Sequence, residues 1–128
     1  ENDTVSVDEL AGAHFGDNDT LSATVAVLAQ ADLLVILTDI DGLYDADPRV
    51  NPQAKRIRRV EKITDEIRAL AGSEGSKRGT GGMRTKIRAA EITARAGIAC
   101  CIINGENPRD LYRLFDGEEI GTIFEADR

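Results

Sequence analysis

The chain is poor in several residue types on which whole classes of protein depend. In 128 residues it has no tryptophan, one histidine, one methionine and two cysteines, and aromatic residues make up 4%. No apolar run approaches the about 20 residues that a membrane-spanning helix requires. We therefore predict no membrane partner.

The two cysteines, Cys100 and Cys101, are adjacent in an apolar run, without a CxxC partner or a nearby histidine. A zinc site is therefore unsupported. Neighbouring side chains of a strand point to opposite faces, which disfavours a disulfide between them. We read them as two buried thiols in a reducing compartment, which predicts a cytoplasmic location.

Positive charge is also scarce. Lys and Arg number 16 against 23 Asp and Glu, which gives a net charge of -7. An acidic domain is a poor ligand for a nucleic-acid backbone, so no nucleic-acid partner is predicted for this segment. The apolar content of 41% is enough for a real core.

What the chain does contain is an alternation of helix and strand patterns. The periodicities predict helices over 20–31, 64–71, 83–96 and 108–115, and strands over 32–37, 57–60, 98–103 and 121–124. In the first helix Leu21, Val25 and Leu28 share one face and alanines make the other faces nearly apolar, which predicts a largely buried helix. Asn18 or Asp19 is expected as its N-cap. This alternation predicts an α/β domain with a mainly parallel sheet.

A glycine-rich run, Gly79-Thr-Gly-Gly-Met-Arg-Thr-Lys86, leads into the third helix. Glycines allow a ligand to approach the backbone, and a helix N-terminus followed by a lysine favours a phosphate group. The spacing differs from that of a Walker A loop. A flexible surface loop before an ordinary helix is the alternative that this run alone leaves open.

Two further polar segments also lie at element boundaries. Gly16–Asp19 precedes the first helix, and Thr38–Pro48 follows the buried strand 32–37, where ligands of open α/β sheets bind. Carboxylates near a phosphate orient lysines, contact a cationic substrate group or hold metal-bound water. Acidic surface turns are the alternative for each segment taken singly.

Taken together, these segments resemble the glutamate 5-kinase (γ-glutamyl kinase) family, within the amino-acid kinases. The resemblance is to the C-terminal portion of the kinase domain. The matching pieces, in order, are Glu1-Asn-Asp3, Gly16-Asp-Asn-Asp-Thr-Leu-Ser-Ala23, Ala31-Asp-Leu-Leu, Thr38-Asp…Gly42-Leu-Tyr…Ala46-Asp-Pro48, Gly79-Thr-Gly-Gly-Met…Thr-Lys86 and Gly121-Thr-Ile-Phe124.

The resemblance implies a three-layer sandwich, here an incomplete domain over 1–124, with 125–128 as a tail or linker. It implies phosphoryl transfer from MgATP to the side-chain carboxylate of L-glutamate, the first step of proline biosynthesis. It also implies Mg²⁺ held mainly through the phosphates, with no protein metal ligands. Proline as a possible inhibitor and a homo-oligomeric full protein are implied as well.

Residue roles follow by motif position. Asp3 and Asn18 match glutamate-binding residues, and Asp19 matches an acidic residue that organises the active site by orienting lysines. Lys86 would reach the phosphates, which makes Lys86 and Asp19 the expected catalytic residues. The implied ATP contacts are Thr38, Asp39, Thr80, Gly81, Gly82, Met83, Arg84, Thr85 and Lys86.

Two other interpretations remain at this point. One is a related kinase acting on aspartate or UMP, against which Gly16-Asp-Asn-Asp19 argues. The other is a non-catalytic nucleotide-binding fragment. The family's N-terminal half, which carries part of the site, has no counterpart here, so we expect the isolated chain to be inactive. The single histidine, His14, is read as a loop residue without a role.

Overall fold

A computed structural model describes residues 18–72 and 81–127, which form a sheet with helices on both faces. The helices are α1 (Asn18–Leu28), α2 (Asp65–Ala69), α3 (Gly81–Arg95) and α4 (Asp110–Phe115). The strands are β1 (Leu33–Thr38), β2 (Arg59–Val60), β3 (Ala99–Asn104) and β4 (Thr122–Phe124). Every helix and strand predicted within the described residues is present, with ends that differ by a few residues.

The sheet has the order β1-β3-β4-β2 and is mixed. β1 and β3 are parallel, in a register that runs from Leu33 opposite Ala99 to Thr38 opposite Asn104. β2 and β4 are also parallel, whereas β4 is antiparallel to β3. Two of the three pairings are therefore parallel, as a mainly parallel sheet requires. The antiparallel β4 begins at the sheet edge where β1 and β3 end.

The two faces of the sheet support separate cores. On one face the larger core includes Ile36, Cys100 and Ile102 of the sheet and the buried side of α3. On the other face Cys101 and Ile103 pack with Leu114 of α4. The adjacent cysteines thus point to opposite faces, as predicted, and both are buried free thiols. Helices on both faces make the three layers.

α1 is less buried than predicted. Val25 is 54% exposed and Leu28 is 80% exposed. The helix buries small residues instead, namely Thr20, Ala23 and Ala26. Ala23 shares the larger core with Ala89 and Ala90 of α3. Small side chains let two helices approach closely, and because α1 is apolar on nearly all sides, its periodicity could not select this face.

Local signals set several element boundaries. The Thr64 hydroxyl accepts a hydrogen bond from the Ile67 amide at 3.4 Å and caps α2. Gly97, at φ +79°, follows the end of α3 in the left-handed conformation typical of helix C-termini. Asn18 and Asp19, expected as caps, are already helical. Gly81 and Gly82, predicted in the loop, also belong to a helix.

The end of the described chain is tied to the fold. The Glu125 amide donates to the Val60 carbonyl at 2.9 Å, and the Asp127 amide donates to the Ala94 carbonyl at 3.0 Å. Arg59 also pairs with the Glu125 carboxylate. Residues 125–127, expected to be a tail or linker, thus make specific contacts with β2 and with the end of α3.

Candidate functional site

The topology brings the predicted site segments to one edge of the sheet. β1 and β3 are parallel, so their carboxyl ends, at Thr38 and Asn104, lie side by side. α1 and α3 each lead into one of these strands through a short turn. Their amino ends therefore lie at that same edge, which is where open α/β sheets bind ligands.

Asp19, Thr85 and Lys86 meet where α1 packs against α3, and we call this group the helix edge. The Thr85 hydroxyl lies 2.7 Å from Asp19 Oδ2, and Lys86 Nζ lies 3.2 Å from the same oxygen. Asp19 lies in the first turn of α1, and Thr85 and Lys86 lie in the first two turns of α3. Close packing of the two alanine-rich helices brings these residues together.

The helix edge is shielded from solvent. The Lys86 side chain is 13% exposed and that of Asp19 is 20% exposed. A charge pair with so little exposure is screened by salt far less than a surface pair. Lys86 Nζ also lies 3.3 Å from the Gly82 carbonyl. The ammonium group is thus held in place beside the start of α3, where a phosphate would meet both it and the helix dipole.

Thr38 and Asp39 lie at a cavity at the ends of β1 and β3. Its volume is about 480 Å³. Its lining residues, which we call the strand edge, are Leu37, Thr38, Asp39, Asn104, Gly105 and Glu106. The Thr38 hydroxyl lies 3.2 Å from Asp39 Oδ1, and the Asp39 side chain is exposed. The strand edge is therefore open and acidic, unlike the helix edge.

Met83, Arg84 and Asn18 are further predicted site residues that the structure describes. Met83 is 6% exposed and belongs to the larger core, so its backbone is the part left for a ligand. Arg84 is exposed and, with Thr85, lines a second groove of about 660 Å³ between α2 and α3. Asn18 is exposed on α1. Asp3, His14 and Thr80 lie outside the described residues.

Two residues at this edge had no predicted role. The Asn104 amide group donates to Asp41 Oδ1 at 2.9 Å. Thr122 is fully buried, and its hydroxyl accepts a hydrogen bond from the Leu43 amide at 2.9 Å. The sequence offered one signal for Thr122, its place in Gly121-Thr-Ile-Phe124, and none for Asn104.

Burial raises the pKa of both cysteine thiols, that of Cys100 to about 12 and that of Cys101 to about 11. Such thiols remain protonated at neutral pH and are poor nucleophiles. Within residues 18–72 and 81–127, His, Cys, Asp and Glu form no group of three that could bind a metal ion. In the same part of the chain, no helix combines the length and apolarity needed to cross a membrane.

Comparisons with known proteins agree with the sequence motifs. The Amino acid kinase family matches residues 1–104. A glutamate 5-kinase of Clostridium perfringens is 52% identical over 127 residues, which cover 98% of this chain and 47% of the relative. A glutamate 5-kinase of Deinococcus radiodurans is 58% identical over 126 residues, which cover 98% of this chain and 34% of the relative.

A solved structure shows the same fold. The isopentenyl phosphate kinase of T. acidophilum, crystallised as a product complex, matches with a TM-score of 0.62 and 25% identity. The match covers 85% of this chain and 39% of that one. The chain thus spans about a third to a half of the length of these relatives. It belongs to the amino acid kinase family.

Proposed function

We propose that this chain forms part of an enzyme that transfers the γ-phosphoryl group of ATP to the side-chain carboxylate of L-glutamate. The observation that carries the proposal is the helix edge, where Asp19 holds the Lys86 ammonium beside the start of α3 at 3.2 Å. The curated relatives that are more than half identical are named glutamate 5-kinases, which supports glutamate over aspartate or UMP as the acceptor.

The chemistry requires positioning more than proton transfer. A glutamate side chain is already ionised at pH 7, so no general base is needed to activate it. The barrier arises from bringing two anions together and from charge on the transferring phosphoryl group. Lys86 would neutralise part of that charge. Because Asp19 and Gly82 already hold the ammonium group, little reorganisation is needed during the reaction.

Asp19 orients the lysine. Its carboxylate is close enough to accept bonds from both Thr85 and Lys86, so it orients the lysine without contacting phosphate. Mg²⁺, when bound with ATP, would be held mainly by phosphate oxygens and would neutralise further charge. The described residues suit this arrangement, because the helix edge supplies a cation and a helix N-terminus for phosphates.

We propose that the nucleotide contacts both the helix edge and the strand edge. Thr80 to Lys86 would meet the phosphates, with Gly82 and Met83 contributing backbone amide groups. Thr38 and Asp39 would contact the rest of the nucleotide at the strand-edge cavity, whose acidic rim suits donors such as ribose hydroxyls more than phosphate groups.

Glutamate recognition is assigned to Asp3 and Asn18. Asp3 would accept a hydrogen bond from the α-ammonium group of glutamate. Asn18 is exposed beside Asp19 on α1, so its amide group is open to a ligand. Asp3→Ala should therefore raise KM for glutamate far more than KM for ATP, and equal effects on both would indicate a structural role.

The whole activity is expected of a longer protein. Since the chain spans about a third to a half of its curated relatives, we propose that 1–124 completes its site with further chain. The 128-residue chain alone should be inactive. Cytoplasmic location, inhibition by proline and homo-oligomerisation belong to the same proposal.

The first test is an acceptor panel in the longer protein. ADP release would be measured with MgATP and, separately, glutamate, aspartate, N-acetylglutamate and UMP. We expect release with glutamate. Release with a different acceptor would overturn the proposed substrate, and glutamate-dependent release from the 128-residue chain alone would refute the need for further chain.

A further inference from the structure

The segment that follows β1 carries Asp39. It meets the end of β3 through the Asn104–Asp41 bond and the start of β4 through the Leu43–Thr122 bond. It contacts the rest of the chain through side chains that lie far away in sequence. One of these is Thr122, the first residue of β4, at the edge where β1 and β3 end. The Gly121-Thr122 motif, which plays no part in the proposed reaction, is thus adjacent to the proposed nucleotide site.

The Thr122 hydroxyl makes two hydrogen bonds. It accepts one from the Leu43 amide at 2.9 Å and donates one to the Ile57 carbonyl at 2.6 Å. Thr122 is fully buried and Leu43 is 2% exposed. Removing the hydroxyl would leave the buried Leu43 amide and the partly buried Ile57 carbonyl without these partners, which is costly in a protein interior.

Gly42 brings the turn close enough for this bond. Its φ is +144°, and a Cβ placed there would lie 2.6 Å from the Thr122 hydroxyl oxygen. The backbone therefore passes over Thr122 at a distance that only glycine permits. The turn and β4 fit each other closely at this point.

Asn104 makes a second contact with the same turn. Its amide nitrogen donates to Asp41 Oδ1 at 2.9 Å, while its oxygen accepts a bond from the Glu106 amide at 2.8 Å. The Gly105 amide donates to the Thr38 carbonyl at 2.8 Å. The end of β3 thus contacts the segment 38–41, and Thr122 contacts the adjoining residues 42–43.

We propose that Thr122 and Asn104 are positioning residues that hold the turn 39–43 in the conformation that binds the nucleotide. The inference rests on the proposed function, since it assumes that Asp39 contacts ATP. Neither side chain contacts the reacting atoms. Each acts through the turn, so its loss should weaken nucleotide binding while the helix edge, which handles the transferred phosphoryl group, stays intact.

The test compares Thr122→Val with Thr122→Ser in the longer protein. Valine keeps the shape and loses the hydroxyl, whereas serine keeps the hydroxyl. We expect Thr122→Val to raise KM for ATP about tenfold, with kcat and KM for glutamate changed less than about threefold. Thr122→Ser should restore KM for ATP to within about threefold of the parent value.

Thr93→Val is the matched control for a merely structural effect. Thr93 is also fully buried, but its hydroxyl bonds the Ala90 carbonyl of its own helix at 3.1 Å. It should leave KM for ATP unchanged. A rise with Thr122→Val no larger than with Thr93→Val would overturn the proposal, as would a failure of serine to restore ATP affinity.

Two further measurements keep the result interpretable. Amide hydrogen exchange at Leu43 should accelerate at least about tenfold in Thr122→Val and stay near the parent rate in Thr122→Ser. If Thr122→Val does not fold, Asp41→Ala decides, because it removes the acceptor of the Asn104 amide group and leaves the residues that line the cavity unchanged. KM for ATP should rise about threefold, and no rise would count against the proposal.

The inference can fail separately from the proposed function. If the parent protein does not phosphorylate glutamate, the proposed function fails, and the dissociation constant for ATP replaces KM in the same comparison. Weaker ATP binding by Thr122→Val than by Thr93→Val would then still support the positioning role. Equal binding by the two variants would overturn it.

Discussion

The helix edge and the strand edge lie at the same end of the sheet but are built in opposite ways. At the helix edge, charged side chains contact each other directly and are at most 20% exposed. At the strand edge, Asp39 is exposed and lines an open cavity of about 480 Å³. One edge is closed by packing between helices, and the other is shaped by a turn.

This difference predicts that the helix edge and the strand edge have different roles in the reaction. A shielded, oriented ammonium group acts on developing charge, so its loss should appear in kcat. An open cavity with exposed carboxylates contributes binding that is equal in ground state and transition state, so its loss should appear in KM.

Lys86→Ala tests the helix edge directly. We expect kcat of the longer protein to fall about 10²- to 10³-fold, because a preorganised cation is lost from the phosphoryl site. The fold should persist, since Asp19 keeps its bond from Thr85. Lys62→Ala, at an exposed lysine outside the site, is the control and should retain activity. Near-normal kcat in Lys86→Ala would remove this lysine from the mechanism.

Gly121→Ala tests how much the contact between β3 and the residue before β4 depends on close backbone packing. Gly121 has φ +66°, and a Cβ there would collide with the Ile102 carbonyl. We expect the free energy of unfolding to fall by about 3 kcal/mol, from the left-handed conformation and the clash together. Gly117→Ala, at φ +88° with nothing near its Cβ, should cost about 1 kcal/mol. Equal losses in denaturant titrations would contradict the argument.

The buried thiols test the packing of the two cores, since Cys100 belongs to the larger core and Cys101 to the core on the other face. Burial raises the pKa of Cys100 to about 12 and that of Cys101 to about 11, from an ordinary value of 9.0. Above pH 9 the unfolded chain releases thiol protons that the folded chain keeps, so stability is lost as pH rises toward the folded values. The loss should reach about 2 kcal/mol per thiol near pH 11.

The comparison for this prediction is the double variant Cys100→Ala/Cys101→Ala. Its free energy of unfolding should fall less steeply than that of the parent between pH 9 and pH 11. The difference between the two proteins should be constant from pH 6 to pH 8, where thiols do not titrate. Parallel curves above pH 9 would show that the thiols are not protected by burial.

Asp39→Ala tests whether the strand edge contributes to binding of ATP. We expect KM for ATP to rise about five- to tenfold with kcat little changed, because a hydrogen-bond acceptor is lost from the cavity. Asp32→Ala, at an exposed aspartate just before the opposite end of β1, is the matched control. A fall in kcat as large as that of Lys86→Ala would remove the proposed division between the two edges.

Much of the fold could be predicted because its signals are local. The buried strands have continuous apolar runs, Thr64 caps α2, and Gly97 follows the end of α3. The prediction that α1 is largely buried was wrong, because a helix that is apolar on nearly all sides carries little information about which side packs against the core. Only its partner, the alanine-rich side of α3, selects the small residues over Val25 and Leu28.

The candidate site, like the fold, could be predicted from the sequence only in part. The residues Asp19 and Lys86 could be chosen from their motifs, but their contact depends on two helices that are 67 residues apart at this point. Asn104 and Thr122 were missed because each acts on a partner 63 or 79 residues away. No periodicity or short motif encodes a hydrogen bond of that range.

Composition and local pattern were thus sufficient for the class of fold, most helices and strands, and the residue types suited to binding phosphate. The antiparallel placement of β4, the shielding of the Asp19–Lys86 pair and the support of the turn 39–43 were decided by tertiary structure. The physical reason is that propensities and caps act within a few residues, whereas burial, ion pairing and backbone approach depend on which distant segments pack together.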